Sequence, residues 1–311
     1  MKTVFLYAGQ GSQKVGMGKD IYEQFAEYRE LIDGLKVSVD VKKLMEEGPM
    51  EELTKTENTQ PCMAAFAAGV TNVLNAKGIK ADASCGLSLG EYGALHYAGV
   101  IDATEYVDIT AYRGKVMAEA AVGHDCSMSA VLGMEASKVE EACEACKDKG
   151  FITLANYNCP GQYVMCGDEE AVAAAEEYLK EAGAKRCIRL KVSGPFHTVY
   201  MEPAAVKLRE RLEKAEFHAP QIPVVLNVTG DFYDGTSNLK EILEKQVKSS
   251  VHFEESLRNL MAQGADTFIE IGPGNALSGF VKKTAKAVGK DVTVYTIDRA
   301  EDLTKVIEAF A

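Results

Sequence analysis

The chain has 311 residues, 47% of them apolar, and a formal net charge of −12. That length and apolar content suit one large folded unit or two modest ones and exclude a disordered chain. The acidic balance excludes nucleic acid and anionic membrane as general partners, since both require clustered Lys and Arg, yet it leaves room for a local basic patch that docks one acidic protein.

Val4 to Ala8 reads as a buried parallel strand and runs into the loop Gly9-Gln10-Gly11-Ser12-Gln13. The same apolar run is too short for a secretory leader, so a cytoplasmic protein with reduced thiols at its eight cysteines is expected. Helical patterns follow at 20–31 and 50–53. A clearer helix is expected to start near Thr59-Gln60-Pro61, with a capping Thr and an early Pro, and to stop at Gly78. Pro61 to Val70, the longest apolar run, is far short of a membrane span. A short strand at 83–86 and a helix from Leu89 to about Ala98 come next, then a helix to about Ala121 with Asp102 and Glu105 as its N-terminal cap pair. Strands alternating with helices indicate an α/β fold with a parallel sheet.

From 127 the rhythm changes. Strands at 127–134, 151–158, 162–167 and 185–192, with helices at 136–149 and 171–182, give the order β-α-β-β-α-β, a ferredoxin-like unit. The expected organisation is therefore a large α/β catalytic domain from 1–125 and 193–311 and an inserted ferredoxin-like subdomain over 126–192. The large domain resumes with strands near 224–228 and 267–271, the latter closed by Gly272-Pro273-Gly274. Cys143 and Cys146 form a lone CxxC in a helical, Ala/Glu-rich stretch. A zinc ribbon would need a second pair, so no metal is expected there.

Three residues carry the chemistry. Gly86-Leu87-Ser88-Leu89-Gly90 is a G-x-S-x-G pattern between a strand and a helix, the context of a nucleophile elbow, although a Gly-rich turn with a capping Ser has the same spelling. An elbow places Ser88 at a helix N-terminus, with the Leu89 amide as a natural oxyanion donor. Of five histidines, His197 stands apart, because it follows a strand in the rigid loop Ser193-Gly194-Pro195-Phe196 where the inserted unit rejoins the large one. No carboxylate between Ser88 and His197 sits in a loop that would make it the third member of a triad, so a Ser–His dyad fits better. Arg113 shares a helical face with Tyr106, Ile109, Val116 and Ala120. A guanidinium there meets either an internal carboxylate or a substrate carboxylate held by two parallel hydrogen bonds. The loop 9–18 fails both nucleotide-binding patterns: Met17 stands where the Walker motif needs Lys, and Lys14 where G-x-G-x-x-G needs its third Gly.

Residues 9–13, 56–61, 86–92, 112–115, 156–162, 196–197 and 271–274 together resemble, in order and spacing, the motifs of the malonyl-CoA:acyl carrier protein transacylases and the related acyltransferase domains of fatty-acid and polyketide synthases. The resemblance implies an α/β-hydrolase-like large domain with an inserted ferredoxin-like one. It implies Ser88 as nucleophile, His197 as general base, Arg113 on the malonyl carboxylate, Gln10 and Leu89 beside the oxyanion, and a main-chain carbonyl at Gln246 that orients the imidazole. Phe196 resembles the malonyl-selecting members, where a bulky ring disfavours an α-methyl group. Leu87 departs from the family's usual His before the nucleophile, and Ala8 from a common Pro.

The implied reaction is ping-pong transfer from malonyl-CoA to the phosphopantetheine thiol of acyl carrier protein, without metal or cofactor and supplying fatty-acid synthesis. A polyketide-type acyltransferase acting in trans and a Ser–His thioester hydrolase stay open beside it. Lys185, Arg189 and Lys191 alternate along the strand at 185–192, and the resemblance makes them a dock for an acidic carrier. Ile188, Leu190 and Val192 are then expected on the packed face of that strand.

Overall fold

A computed structural model describes residues 2–190 and 194–311. Nine strands lie among them, in two sheets. β1 (Thr3–Tyr7), β2 (Ala83–Gly86), β8 (Thr267–Ile271) and β9 (Thr293–Ile297) form a parallel sheet in the order β2-β1-β8-β9. β1 is buried along its whole length, as its unbroken apolar run requires of a strand covered on both faces. The register pairs Tyr7 with both Gly86 and Ile271. β1, β2 and β8 therefore end on one line and release their loops at one edge, where open α/β sheets build their sites.

The second sheet contains β3 (Cys126–Leu132), β4 (Ile152–Cys159), β5 (Gln162–Asp168), β6 (Arg186–Arg189) and β7 (Val251–His252), in the order β6-β3-β5-β4-β7. The first four carry the strand order of a ferredoxin-like unit. β7 comes from the later part of the chain and pairs with β4 in parallel. One face of this sheet packs on its own helices through Val131, Leu154 and Met165. The other, with Met128, Ala130 and Val164, is continuous with the core of the large unit.

Several elements differ from expectation. The long helix is Thr56–Ala76, so Pro61 lies inside it. Thr59 does not cap it: its hydroxyl donates back to the Leu53 carbonyl of the preceding helix. The pattern at 20–31 is split into Lys19–Gln24 and Ala26–Gly34 by an extended Phe25. Val224 and Val225 make only isolated bridges, the first of them beside Ser84 of β2.

The expectation for β6 is overturned in its facing. Ile188 and Leu190 are 39% and 36% exposed, whereas Cys187 packs with the helix-covered cluster and Arg189 pairs with Glu169 and Glu176. Cys187 and Arg189 lie on the helix-covered side, and the opposite face, expected to be packed, is left partly open, with Leu190 lining the cleft cavity. Lys191 and Val192 lie outside the described residues.

Candidate active site

The loops from the parallel-sheet edge meet the cleft face of the second sheet around a cavity of about 300 Å³. Ser88, His197, Arg113, Gln10, Leu89 and Phe196 all line it. A larger groove of about 820 Å³ lies elsewhere, between Phe217–Val224 and Phe232–Lys240, and none of these six residues reaches it.

Ser88 sits between β2 and the helix Gly90–Tyr97 in a left-handed conformation, with φ of 53°. Two glycines make the turn possible. A Cβ on Gly86 would lie 2.0 Å from the Gly90 backbone, and one on Gly90 would lie 2.0 Å from the Tyr7 carbonyl oxygen of β1. The turn closes with the Gly90 N–H on Leu87 and the Glu91 N–H on Ser88, and it leaves the Leu89 amide at the helix start. The spelling G-x-S-x-G is thus a packing requirement here: the helix is pressed against the central strand, with no room for a side chain.

His197 also has a positive φ, 61°, uncommon for a residue with a Cβ and found where surrounding packing imposes it. Its Nδ1 lies 2.8 Å from the Gln246 main-chain carbonyl oxygen, and its Nε2 lies 2.7 Å from the Ser88 hydroxyl. A carbonyl only accepts, so Nδ1 carries the ring proton and Nε2 is left as an acceptor for the Ser88 hydroxyl. That is the arrangement a base needs, with a backbone carbonyl doing the orienting a carboxylate does in a triad. Burial first, and the nearby Arg113 charge second, push the imidazole pKa down to about 4, so the ring is neutral near pH 7.

Arg113, on the helix Ala103–Ala121, is 1% exposed. Its Nη1 donates to Gln60 Oε1 at 2.8 Å, and its Nη2 donates to Gln246 Oε1 at 3.0 Å and to the Ser88 hydroxyl oxygen at 3.1 Å. Every acceptor is a neutral oxygen, and the buried Nε has no partner. Among the described residues no carboxylate lies within ion-pair distance of the guanidinium. The fully buried Glu91 is near enough to favour the charged guanidinium but makes no direct pair with it. A buried cation without a direct partner is costly, and a ligand carboxylate would reduce that cost. The internal ion pair left open by the sequence is therefore not what this side chain makes.

Gln246 ends the helix Leu239–Gln246 and does more than its main chain was expected to do. Besides bonding Arg113, its side-chain amide donates to the Ser88 carbonyl at 2.8 Å. Gln10 donates to Thr56 Oγ1 at 3.1 Å, which ties the loop after β1 to the long helix. Phe196 is 6% exposed, its ring set into the cavity wall. Leu87 faces the same cavity and packs against the apolar cluster behind β1 and β2.

Three residues at the site were not read from the sequence. Gln60 falls within the motif at 56–61, but its part in holding Arg113 depends on how two helices cross. Asn227 and Glu91 support the elbow from behind: the Ser88 N–H donates to Asn227 Oδ1 at 2.6 Å, and the Asn227 N–H donates to Glu91 Oε2 at 2.7 Å. Glu91 follows the elbow directly, and an acidic residue in a first helical turn reads as a solvated dipole partner, not a buried one. Nothing in 224–228 beyond a strand-like apolar run singled out Asn227.

The acyl transferase domain family matches residues 4–305. The chain is 43% identical over 285 residues to the malonyl CoA-acyl carrier protein transacylase of Bacillus subtilis, covering 91% of this chain and 90% of that protein. It is 38% identical over 282 residues to the Escherichia coli (strain K12) protein of the same name, covering 90% and 91%. Among solved structures, the malonyl CoA-acyl carrier protein transacylase of Clostridium perfringens superposes with a TM-score of 0.93 at 40% identity, covering 100% of this chain and 97% of that one. A malonyl-transacylase solved in complex with a type II PKS acyl-carrier protein superposes with a TM-score of 0.92 at 34% identity, covering 99% and 100%.

Proposed function

The chain belongs to the acyl transferase domain family, and on that premise we propose that it transfers the malonyl group of malonyl-CoA to the phosphopantetheine thiol of acyl carrier protein, supplying fatty-acid synthesis. The observation that carries the reading is the combination in one cavity of a Ser–His pair with a buried guanidinium that has no direct carboxylate partner and lies 3.1 Å from the serine hydroxyl. A hydrolase of neutral esters has no use for that cation, and an enzyme that carries a dicarboxylate half-ester does.

Two half-reactions follow. His197 Nε2 takes the Ser88 proton as Oγ bonds to the thioester carbonyl carbon. The oxyanion rests on the backbone amides of Leu89 and Gln10, the malonyl carboxylate lies on Arg113, and Phe196 leaves little room for an α-methyl group. The C–S bond then breaks, and CoA leaves as a thiol with the proton from His197. In the second half the carrier's thiol gives its proton to His197 and its sulfur bonds to the malonyl-serine carbonyl carbon; the C–Oγ bond then breaks, Ser88 recovers the proton from His197, and the malonyl group stays on the carrier as a thioester. Covalent chemistry and amide donors suffice, so no step calls on a metal or a cofactor of this chain's own.

The carrier dock is best drawn around Lys185, Lys283 and Lys286, which line one groove of about 560 Å³ with Gly133 and Gly161. Arg189 is already engaged by Glu169 and Glu176, which leaves it less free to meet an acidic partner. The division into 1–125 with 193–311 and 126–192 is retained as the working domain boundary. No helix among the described residues is long and apolar enough to cross a membrane, and all eight cysteines are free; the site of action we assign is the cytoplasm.

The test is intact mass after brief incubation with malonyl-CoA, for wild type, Ser88→Ala and Arg113→Ala. A malonyl adduct that is absent from Ser88→Ala, weakened in Arg113→Ala and discharged by added holo acyl carrier protein supports transfer. Free malonate with no adduct and no loaded carrier would instead make the protein a hydrolase.

A further inference from the structure

The left-handed turn at Ser88 is held by a side chain remote in sequence. Asn227 is fully buried and lies beside the end of β2, where Val224 bridges to Ser84 and the Val225 N–H donates to the Ser84 carbonyl at 3.0 Å. Its amide spans the elbow: Oδ1 accepts from the Ser88 N–H at 2.6 Å, and Nδ2 donates to the Gly86 carbonyl at 2.7 Å. These are the two main-chain groups on either side of Leu87 that the left-handed turn directs away from the helix. Asn227 is fixed at both ends in turn. Its own N–H meets the fully buried Glu91, and its carbonyl accepts from the His252 N–H at 2.8 Å.

We propose that Asn227 is a positioning residue for the nucleophile, its amide holding Ser88 in the left-handed conformation that aims Oγ at His197, with Glu91 as the anchor that fixes Asn227. The inference rests on Ser88 being the nucleophile. A side chain at this position must offer one acceptor and one donor on the same planar group, which Asn does and Ser, Ala or Leu do not. Without it, two buried main-chain groups lose their partners. The turn then relieves itself by leaving the positive-φ region, and Oγ moves off the line to Nε2. Displacements of about 1 Å in a reacting group cost on the order of 100-fold in rate. Arg113, Gln60 and Phe196 lie on other elements, so the acyl pocket keeps its affinity.

The experiment is single-turnover acylation of Ser88 by malonyl-CoA, quenched and read by intact mass, on wild type, Ser88→Ala, Asn227→Ala and Asn227→Asp. Asn227→Ala is expected to acylate about 100-fold more slowly, with the malonyl-CoA concentration for half-maximal rate within threefold of wild type. Asn227→Asp gives a signature that general destabilisation would not. A protonated Asp presents the same acceptor and donor as Asn, whereas an ionised one offers only acceptors and repels the Gly86 carbonyl. The ionisable groups on the surrounding elements are Glu91, Arg113, His197 and His252. Glu91 opposes ionisation of the new carboxyl, and Arg113 favours it. Burial raises the Glu91 pKa to about 7, so both proteins carry that titration and the readout is their ratio at each pH. Acylation by Asn227→Asp relative to wild type should therefore approach one near pH 5.5 and fall as pH rises. A folded Asn227→Ala that acylates within threefold of wild type overturns the proposal. If Asn227→Ala does not fold, an Asn227→Asp profile that superimposes on wild type overturns it. Absence of any adduct on wild type would instead overturn the nucleophile reading on which this one stands.

Discussion

At the scale of single residues, one buried charge with no direct ion partner sets the behaviour of the site. Arg113 is fully buried and bonded only to neutral oxygens, so it acts on whatever enters the cavity and on whatever already sits there. Truncation to Ala should lower kcat/KM for malonyl-CoA by about 3 kcal/mol, roughly 150-fold, because one partner of a buried charge pair is removed. The same change should leave acetyl-CoA, which has no carboxylate, much less affected, so competition between the two donors reads the effect as a change in selectivity. Arg113 also depresses the His197 pKa, second to burial. A cation beside an imidazole disfavours its protonation, so neutralising that cation raises the imidazole pKa. The acid limb of kcat/KM, which reports the free enzyme, should therefore lie near pH 4. The limb of kcat, with a malonyl carboxylate on Arg113, should lie higher. A pH profile in which the two limbs coincide would mean that the carboxylate does not meet Arg113. His197, Ser88 and Arg113 were legible from the sequence because each broke a local expectation. A serine stood between glycines, a histidine followed a Gly-Pro turn, and a cation lay on an apolar face. Asn227, Gln60 and Glu91 broke none, since their partners are 139, 53 and 136 residues away.

At the scale of elements, the helix Gly90–Tyr97 and the strand β1 make one contact that sets the geometry of the Ser88 turn. Gly90 lies against the Tyr7 carbonyl, and a methyl group there meets backbone of the central strand, which has no room to yield. Gly90→Ala should cost about 3 kcal/mol or more in urea unfolding. Gly279→Ala is the control. It is also a helical glycine, on the helix Ala276–Val288, but a Cβ there meets nothing within 4 Å. It should be neutral or stabilising by about 0.5–1 kcal/mol. Similar losses at both positions would show that helix propensity, not the approach to β1, is what matters. The helix Thr56–Ala76 starts ahead of its capping signal. Thr and Pro make a sound N-terminal signal, but 16 of its 21 residues are buried against neighbouring elements, and that packing carries the helix one turn further back through a single proline.

For the whole molecule, the question is how a chain with a net charge of −12 meets an acidic carrier. Lys185 from the end of the second sheet and Lys283 and Lys286 from a helix of the large unit form one groove, although 98 residues separate Lys185 from Lys283 along the chain. Replacing Lys185 and Lys283 with Glu should raise KM for the carrier about tenfold, more at low salt, and leave malonyl-CoA acylation of Ser88 unchanged. Unaltered carrier kinetics would move the dock elsewhere. The cleft itself is a product of this scale. One face of the second sheet, including Met128, Ala130 and Val164, joins the main core instead of closing on its own helices, and this turns Leu190 toward the substrate cavity.

The sequence by itself determined the class of fold and singled out the serine, histidine and arginine to which the chemistry is assigned. Strand and helix periods, a glycine-framed serine, a histidine in a rigid loop and an arginine on an apolar face are local patterns, and local sterics and solvation set them. Only the tertiary structure decided what depends on distant segments meeting. That includes the Gln246 side chain laid on the Ser88 carbonyl, Arg113 held by Gln60 and Gln246 without a carboxylate, Asn227 laid across the elbow, and the facing of β6. The physical reason is common to all four. A hydrogen-bonding side chain has the same local spelling whether its partner is water or a buried group a hundred residues away, and only folding chooses between them.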